Sequence, residues 1–459
     1  MDELHYYDAK RLKQLQQDKL LPNDAVVTTF GDALDALNKA LQWECRQTAN
    51  LEAQRWREDF ATATKTPFQK INSIIKPNAP INFTADQMRQ QWADTWCPND
   101  HNSDQLTDAW DNHANDAQLG PLPGGNASLP DYFDLHDIMV DAKGSAGWDG
   151  WTSLETQTIA KHFPQATEEL VQLWIDTTQA APFAHANSGD DPTIAAVYDA
   201  LYRTRTVGIP KGDNDTRPIS IASTLVRCWH RALLQKLPHL PDDQWAGQPG
   251  GSVATATSHW LLANKACGAE LDLSRAFDTI DHKVGLHALT RAGVPSNVAT
   301  LLALSWRAEG ICVVKSRPSI PITPTRGIPQ GCPASPFILA CVLRLWSAII
   351  QHAVPTAQTW LFVDDRSLGI IATSSNDPQQ DLQSALQVTT HFDTSIGLVE
   401  NASKRQLWGP NHAITVEHLG TTVQPLNKKA EIRPRRGFTK AEGLIAELAR
   451  LQGGYALRF

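Results

Sequence analysis

Asp364 and Asp365 stand side by side in TWLFVDDRSLGI, a stretch that is otherwise mostly apolar. Two chemistries account for such a pair. The first is a turn. Asp bonds nearby backbone and tolerates tight bends, so residues 360–363 and 368–372 become two short strands joined at Asp364-Asp365-Arg366, a hairpin. The second is a metal site. Adjacent carboxylates about 4 Å apart repel by roughly 4 kcal/mol at an effective dielectric of about 20, and a cation relieves that repulsion. Hard divalent ions such as Mg²⁺ take oxygen ligands, often carboxylates together with substrate phosphates. Strand side chains alternate between faces, so a site here needs a further carboxylate from a neighbouring strand. Asp272 meets that need. In GAELDLSRAFD it lies between Leu271 and Leu273 on a strand-like run, where an unpaired charge is costly; a strand-end cap or a salt bridge is the alternative. Asp278 and Asp281 follow in a turn and read as caps of the next helix.

Between the two candidate strands runs RGIPQGCPASPFILACVLRLW. Gly327, Pro329, Gly331 and Pro333 make a rigid loop with exposed backbone, and Ser335-Pro336 opens a helix with Ser as cap and Pro in its first turn. A glycine-lined loop feeding a helix lets a flat or charged ligand approach the backbone. It matches neither a phosphate-binding loop nor a dinucleotide fingerprint. Upstream, RTVGIPKGDNDTRPISIAS reads as a strand ending in a basic loop; downstream, GLVENASK is a lysine-bearing turn. This order suits two-metal phosphoryl transfer, in which two ions clamp an attacking hydroxyl and a leaving oxygen.

The elements that carry these residues are short and mixed. EELVQLWIDTT and LVRCWHRALLQKL read as helices, QWAGQPGGSVAT as a loop entering another, and ICVVKSRPSIPITP as a hairpin. After the Asp272 turn two helices follow, Gly293 closing the first and Ser296 capping the second. FILACVLRLWSAII is expected to be a buried helix, too short for a membrane span and carrying Arg344. Residues 1–130 look helical and irregular, with an amphipathic stripe at Leu34, Leu37 and Leu41, a charged helix at EAQRWREDF and a connector at 67–83. Strands and helices in irregular order predict an α+β fold.

Bulk composition narrows the class. A net charge of −8, from 41 basic and 49 acidic residues, counts against a strongly basic nucleic-acid binder without saying where the basic residues sit. The 7 cysteines show no C-x-x-C spacing and the 15 histidines no H-E-x-x-H, which points to a reducing compartment and away from disulfide frameworks and zinc knuckles. The N-terminus lacks the apolar core of a signal peptide. An intracellular, soluble protein with no membrane partner is expected, in nucleus or cytoplasm.

Taken together, these motifs resemble the reverse transcriptase family, most closely its non-LTR, target-primed retrotransposon branch, from about Lys143 to Gly420. KGSAGWDGWT resembles that branch's N-terminal extension motif, VGIPKGDNDTRPISIAS the two finger motifs, ELDLSRAFD motif A, RGIPQGCPASP motif B, FVDD motif C, GLVENASK motif D and HLG at 418–420 motif E. Phe362 and Val363 replace the Tyr and Ala often found in motif C, conserving apolar character, and Ala334 is small for its slot. The resemblance implies a right-hand polymerase: a helical N-terminal extension (1–130), extension motif and fingers (131–245), a palm with an antiparallel sheet backed by helices (246–410), and the motif E region with the start of a thumb (411–459).

It also implies roles. Asp272 and Asp364 hold two Mg²⁺ ions, with Mn²⁺ able to substitute; Asp365 assists and the Leu273 carbonyl adds a ligand. Lys211 and Arg217 reach the incoming triphosphate from the fingers. Phe277 is the steric gate that selects deoxynucleotides, Gln330 and Gly331 line the nascent base-pair pocket, and Lys404 protonates the departing pyrophosphate. RNA template, DNA primer and dNTPs are the implied partners. KKAEIRPRRGFTK, with six basic residues and one acidic, tracks the template–primer backbone. No endonuclease, zinc knuckle or RNase H signature is evident, so a fragment of a longer polyprotein or a decayed copy is expected. The rival activities are an RNA-templated RNA polymerase, against which Phe277 argues, and a catalytically inactive, truncated relative that binds nucleic acid without chemistry.

Overall fold

The computed structural model describes residues 84–99, 102–125, 128–187, 192–210, 216–240, 253–314, 317–410, 412–413, 415–419, 421–427 and 429–431. Lys211, the stripe at Leu34, Leu37 and Leu41, EAQRWREDF, the connector at 67–83 and most of KKAEIRPRRGFTK lie outside the described residues.

In chain order the helices are α1 (Ala85–Trp96), α2 (Ser103–Asp116), α3 (Tyr132–Val140), α4 (Ser153–His162), α5 (Pro164–Asn187), α6 (Pro192–Tyr202), α7 (Thr224–Leu234), α8 (Val253–Leu262), α9 (Ala276–Thr279), α10 (His282–Arg291), α11 (Ser296–Trp306), α12 (Ser335–Ala353) and α13 (Pro378–Ser395). The strands are β1 (Thr204–Pro210), β2 (Thr216–Ile221), β3 (Cys267–Asp272), β4 (Gly310–Val314), β5 (Arg317–Pro318), β6 (Ala357–Phe362), β7 (Asp365–Ile370), β8 (Gln406–Trp408), β9 (Val416–His418), β10 (Thr421–Gln424) and β11 (Lys429–Glu431). They form three sheets, ordered β2-β1-β4-β5, β6-β7-β3-β8 and β11-β10-β9. The fold is α+β. The ICVVKSRPSIPITP hairpin is present as antiparallel β4–β5.

The central sheet, β6-β7-β3-β8, is antiparallel throughout. Its inner strands read as near-continuous buried runs, CGAELD and RSLGI, whereas β6 alternates buried and half-buried residues. That difference is the one expected between strands covered on both faces and a strand at the sheet's edge. Helices α12 and α13 pack against this sheet and are pinned together where Trp346 Nε1 donates to Thr389 Oγ1 at 2.9 Å.

Arg366 departs from expectation. It is not a turn residue but a fully buried member of β7, forked onto Asp393 of α13 through two 2.7 Å bonds and lying over the Trp346 ring. Two parallel bonds from a planar guanidinium satisfy a carboxylate well. Breaking such a pair strands a buried charge, so Asp393→Ala is expected to cost about 3–5 kcal/mol in chemical denaturation. The paired replacement Arg366→Met/Asp393→Leu is expected to be near neutral. A loss from Asp393→Ala within measurement error of zero would show that the pair contributes little.

Helix α12 corrects a second reading. The helix extends beyond FILACVLRLWSAII at both ends, and at 19 residues it is long and apolar enough to cross a membrane, so length alone does not exclude a span. Its side chains are instead mostly buried within the protein, and Arg344 donates to the Gly120 carbonyl. Several caps also differ. Gly293 closes α10 in a left-handed conformation, as expected. Ser296 and Ser335 are first helical residues, with Pro295 and Ala334 in the cap positions, and Ser335 Oγ bonds back to the Pro329 carbonyl at 2.8 Å. Asp281 does cap α10, accepting from Val284 N at 2.9 Å, but Asp278 caps nothing and is buried in α9.

Candidate active site

The sheet itself gathers the acids. β6 ends at Phe362 and β7 begins at Asp365, so the hairpin turn is Val363-Asp364, starting one residue earlier and one residue shorter than the pattern of apolar runs suggested. Val363 adopts φ 61°, a left-handed conformation rare for a β-branched residue and a mark of local strain. Across the sheet Asp365 pairs directly with Asp272, the last residue of β3. Directly opposed residues share a face and bring their Cβ atoms to about 4.5–5.5 Å. Two strands and one turn thus deliver three carboxylates to one sheet end.

All three line a cleft of about 330 Å³, together with Arg217, Leu273, Phe277, Gln330 and Lys404. Arg217 comes from β2, Phe277 from α9, and Lys404 from a single 3₁₀ turn, Ala402–Lys404. That turn is sewn to the end of β3: Asn401 N donates to the Asp272 carbonyl and Ser274 N to the Val399 carbonyl, both at 2.8 Å. Lys404 Nζ consequently sits 3.1 and 3.0 Å from the two Asp272 carboxylate oxygens. Gly331 lies beside the cleft at φ 121°, and a Cβ there would fall 2.6 Å from the Ser220 carbonyl oxygen. Only glycine lets this loop lie against β2. Every predicted site residue among those described is therefore at or beside the cleft.

Charge is concentrated here. Desolvation, then repulsion from Asp364 and Asp272, pushes the Asp365 carboxyl up to about 6. Asp364 is also raised, by desolvation first and by Asp272, against a lowering bond from its own backbone N–H and the charges of Arg217 and Lys404. Among the described residues no three His, Cys, Asp or Glu side chains form a ready-made metal cage. The donor set nonetheless suits a hard divalent ion: carboxylate oxygens gathered at one edge, Asp364 and Asp365 disfavouring their own ionisation, and the Asp272 carboxylate paired with the exposed Lys404. These residues fit such an ion.

Some contributors were not singled out from the sequence. Helix α1 buries Met88, Trp92 and Trp96, an i, i+4, i+8 stripe that helical periodicity would have exposed. Trp92 lines the cleft, donates to Thr216 Oγ1 at 3.2 Å and lies 4.8 Å from the Arg275 guanidinium. Trp96 Nε1 donates to Asp278 Oδ1 at 3.1 Å, and Gln330 Nε2 donates to Asp278 Oδ2. Burial raises Asp278 to about 6 against those two bonds.

The family described as reverse transcriptase (RNA-dependent DNA polymerase) matches residues 209–423. The chain is similar to the retrovirus-related Pol polyprotein from the type-1 retrotransposable element R2 of Nasonia vitripennis, 34% identical over 158 residues, covering 30% of this chain and 15% of that protein. It is similar to the Pol polyprotein from the type-2 element R2DM of Drosophila melanogaster, 29% identical over 226 residues, 44% of this chain and 20% of the relative. Protein P of hepatitis B virus genotype F2 is 33% identical over 86 residues, 19% of this chain and 10% of that protein. The matched part thus spans a fifth or less of each of these relatives. Residues 209–423, which hold the three acids, Arg217, Phe277, Gln330 and Lys404 around one cleft, thus match the reverse transcriptase family, and the chain is similar to Pol polyproteins of R2 retrotransposable elements.

Proposed function

We propose that this domain catalyses RNA-templated DNA synthesis, adding dNTPs to the 3′-hydroxyl of a DNA primer on an RNA template, within an intracellular, longer retrotransposon polyprotein that supplies an endonuclease and a complete thumb. The reading assigns an N-terminal extension to 1–130, extension motif and fingers to 131–245, palm to 246–410 and the thumb's beginning to 411–459. One observation carries it: Asp272 and Asp365 are cross-strand partners, and Asp364 joins them in the cleft that holds Arg217 and Phe277.

Asp272, Asp364 and Asp365, with the Leu273 carbonyl, would hold two Mg²⁺ or Mn²⁺ ions. When bound, such a pair activates the primer hydroxyl and neutralises charge on the leaving pyrophosphate. Lys404 balances Asp272 meanwhile; once that carboxylate is otherwise engaged, its ammonium is released toward the triphosphate, where it can donate a proton. Arg217, at the cleft wall and acting on Asp364 electrostatically, grips phosphate oxygens; Lys211 would assist as a point charge. The Phe277 ring closes the floor beneath the sugar. Gln330, held by Asp278, and Gly331 face the nascent base pair.

The deciding experiment is extension of oligo(dT) on poly(rA) with dTTP. Extension that requires Mg²⁺ and vanishes in Asp365→Ala supports the proposal; tight binding of the hybrid with no incorporation by the intact chain favours a nucleic-acid binder without chemistry. A pH dependence follows from Asp365. It must be ionised to hold a cation, and its carboxyl titrates near 6. Protons therefore compete below that pH, and the Mg²⁺ concentration needed for half-maximal extension should rise by up to about tenfold per pH unit on the acid side, while staying flat above pH 7. A requirement unchanged between pH 5 and 7 would contradict it.

A further inference from the structure

Helix α1 precedes the stretch matched to the reverse transcriptase family, yet it reaches into the nucleotide cleft. Its last turn is fixed from several sides. The Trp96 carbonyl accepts from Thr325 N at 2.9 Å and from Thr325 Oγ1 at 3.0 Å, and Arg326 Nε donates to the Thr95 carbonyl at 2.6 Å. These residues lead directly into the glycine-rich loop. The loop's backbone is in turn tied to α9 and the turn after it, through Ile328 N to the Phe277 carbonyl and Gly327 N to the Ile280 carbonyl, both at 2.7 Å. The backbone of Gln330 is set as well, its carbonyl accepting from Ser220 N at 2.7 Å. What these bonds leave open is the direction of the Gln330 side chain.

One carboxylate settles that direction. Asp278 offers only acceptors to its two neighbours and is 3% exposed. One oxygen takes the Trp96 indole N–H, the other the Gln330 amide. The indole bond fixes the carboxylate plane, and the carboxylate fixes the amide. A buried acceptor that loses one of two donors is free to rotate or to repartner, and the amide would follow.

We propose that Trp96 and Asp278 are positioning residues for base selection: helix α1, through the Asp278 carboxylate, holds the Gln330 amide where the incoming base pair forms. This rests on the polymerase reading above. It gives the N-terminal helix a role in fidelity, and it predicts that loosening the indole bond harms correct pairing more than it harms chemistry.

The test is single-turnover incorporation of correct and mismatched dNTPs on an RNA template by the full chain carrying Trp96→Phe, Gln330→Ala, or both. Phe keeps the ring's packing and removes the donor. The expected result is a loss of about tenfold in the ratio of correct to mismatched kcat/KM for Trp96→Phe, a comparable loss for Gln330→Ala, and no further loss in the double variant, as residues acting in series behave. Asp278→Asn, which must turn an NH₂ toward one of the two donors, should lose the same ratio and serves if Trp96→Phe melts early. Equal slowing of correct and mismatched addition, or fully additive losses, would overturn the proposal while leaving the polymerase reading intact. A wild-type chain that binds the hybrid and incorporates nothing removes both.

Discussion

Asp364→Asn and Asp272→Asn are each expected to slow nucleotide addition by at least about a thousandfold, because losing a ligand charge removes several kcal/mol of stabilisation from the transition state. The amide keeps the volume and the turn-forming capacity of the acid, so the fold is retained. It is expected to tighten: desolvation raises both Asp364 and Asp365, Asp272 raises both further and Asp364 raises Asp365, so neutralising Asp272 or Asp364 relieves the acids that remain. A melting temperature equal to or above wild type, beside a collapsed rate and an unchanged affinity for the primer–template, is therefore the signature of a charge used for chemistry. Single-turnover kinetics with a parallel thermal melt reads both. A rate within tenfold of wild type in either variant would place the chemistry elsewhere.

Phe277→Val is expected to lower discrimination against ribonucleotides by about a hundredfold, the scale on which a well-shaped apolar contact separates substrates. Phe277 lines the cleft beside Asp272 and Asp364. It sits on the four-residue helix α9, entered through Arg275 in a left-handed conformation at φ 55°. Its carbonyl is committed to Ile328 N, so the ring cannot withdraw from the cleft by a local backbone shift. Val leaves space where the 2′-hydroxyl would lie and keeps an apolar wall, so dNTP use should fall by less than about tenfold. The measurement is the ratio of kcat/KM for dTTP and UTP on one primer–template. An unchanged ratio removes the gate assignment and leaves Phe277 as part of the core.

The carboxylates were legible because charge inside an apolar strand is costly and therefore conspicuous: Asp272 and the Asp364-Asp365 pair stood out, and the sheet does bring them together. The hairpin was legible as a hairpin but not in register. A β-branched residue, Val363, takes a left-handed turn position that Gly, and occasionally Asn or Asp, fills. Arg366 looked like a turn residue because its partner, Asp393, lies a helix away in the sequence. The serine caps failed where prolines sit beside them and reshape the helix entry. Asp278 was misread for the same reason as Arg366: the donors that bury it, Trp96 and Gln330, are 182 and 52 residues distant. Local pattern reports what a segment needs, and long-range partners decide how that need is met.

The most direct test of the central claim counts ions. Mn²⁺ titration followed by electron paramagnetic resonance, with primer–template and a non-hydrolysable dNTP analogue present, should find two tightly bound Mn²⁺ in the wild-type chain. Asp272→Asn should retain at most one, and the Asp272→Asn/Asp364→Asn pair none. Two tightly bound ions in that double variant would mean that these carboxylates do not hold the metals.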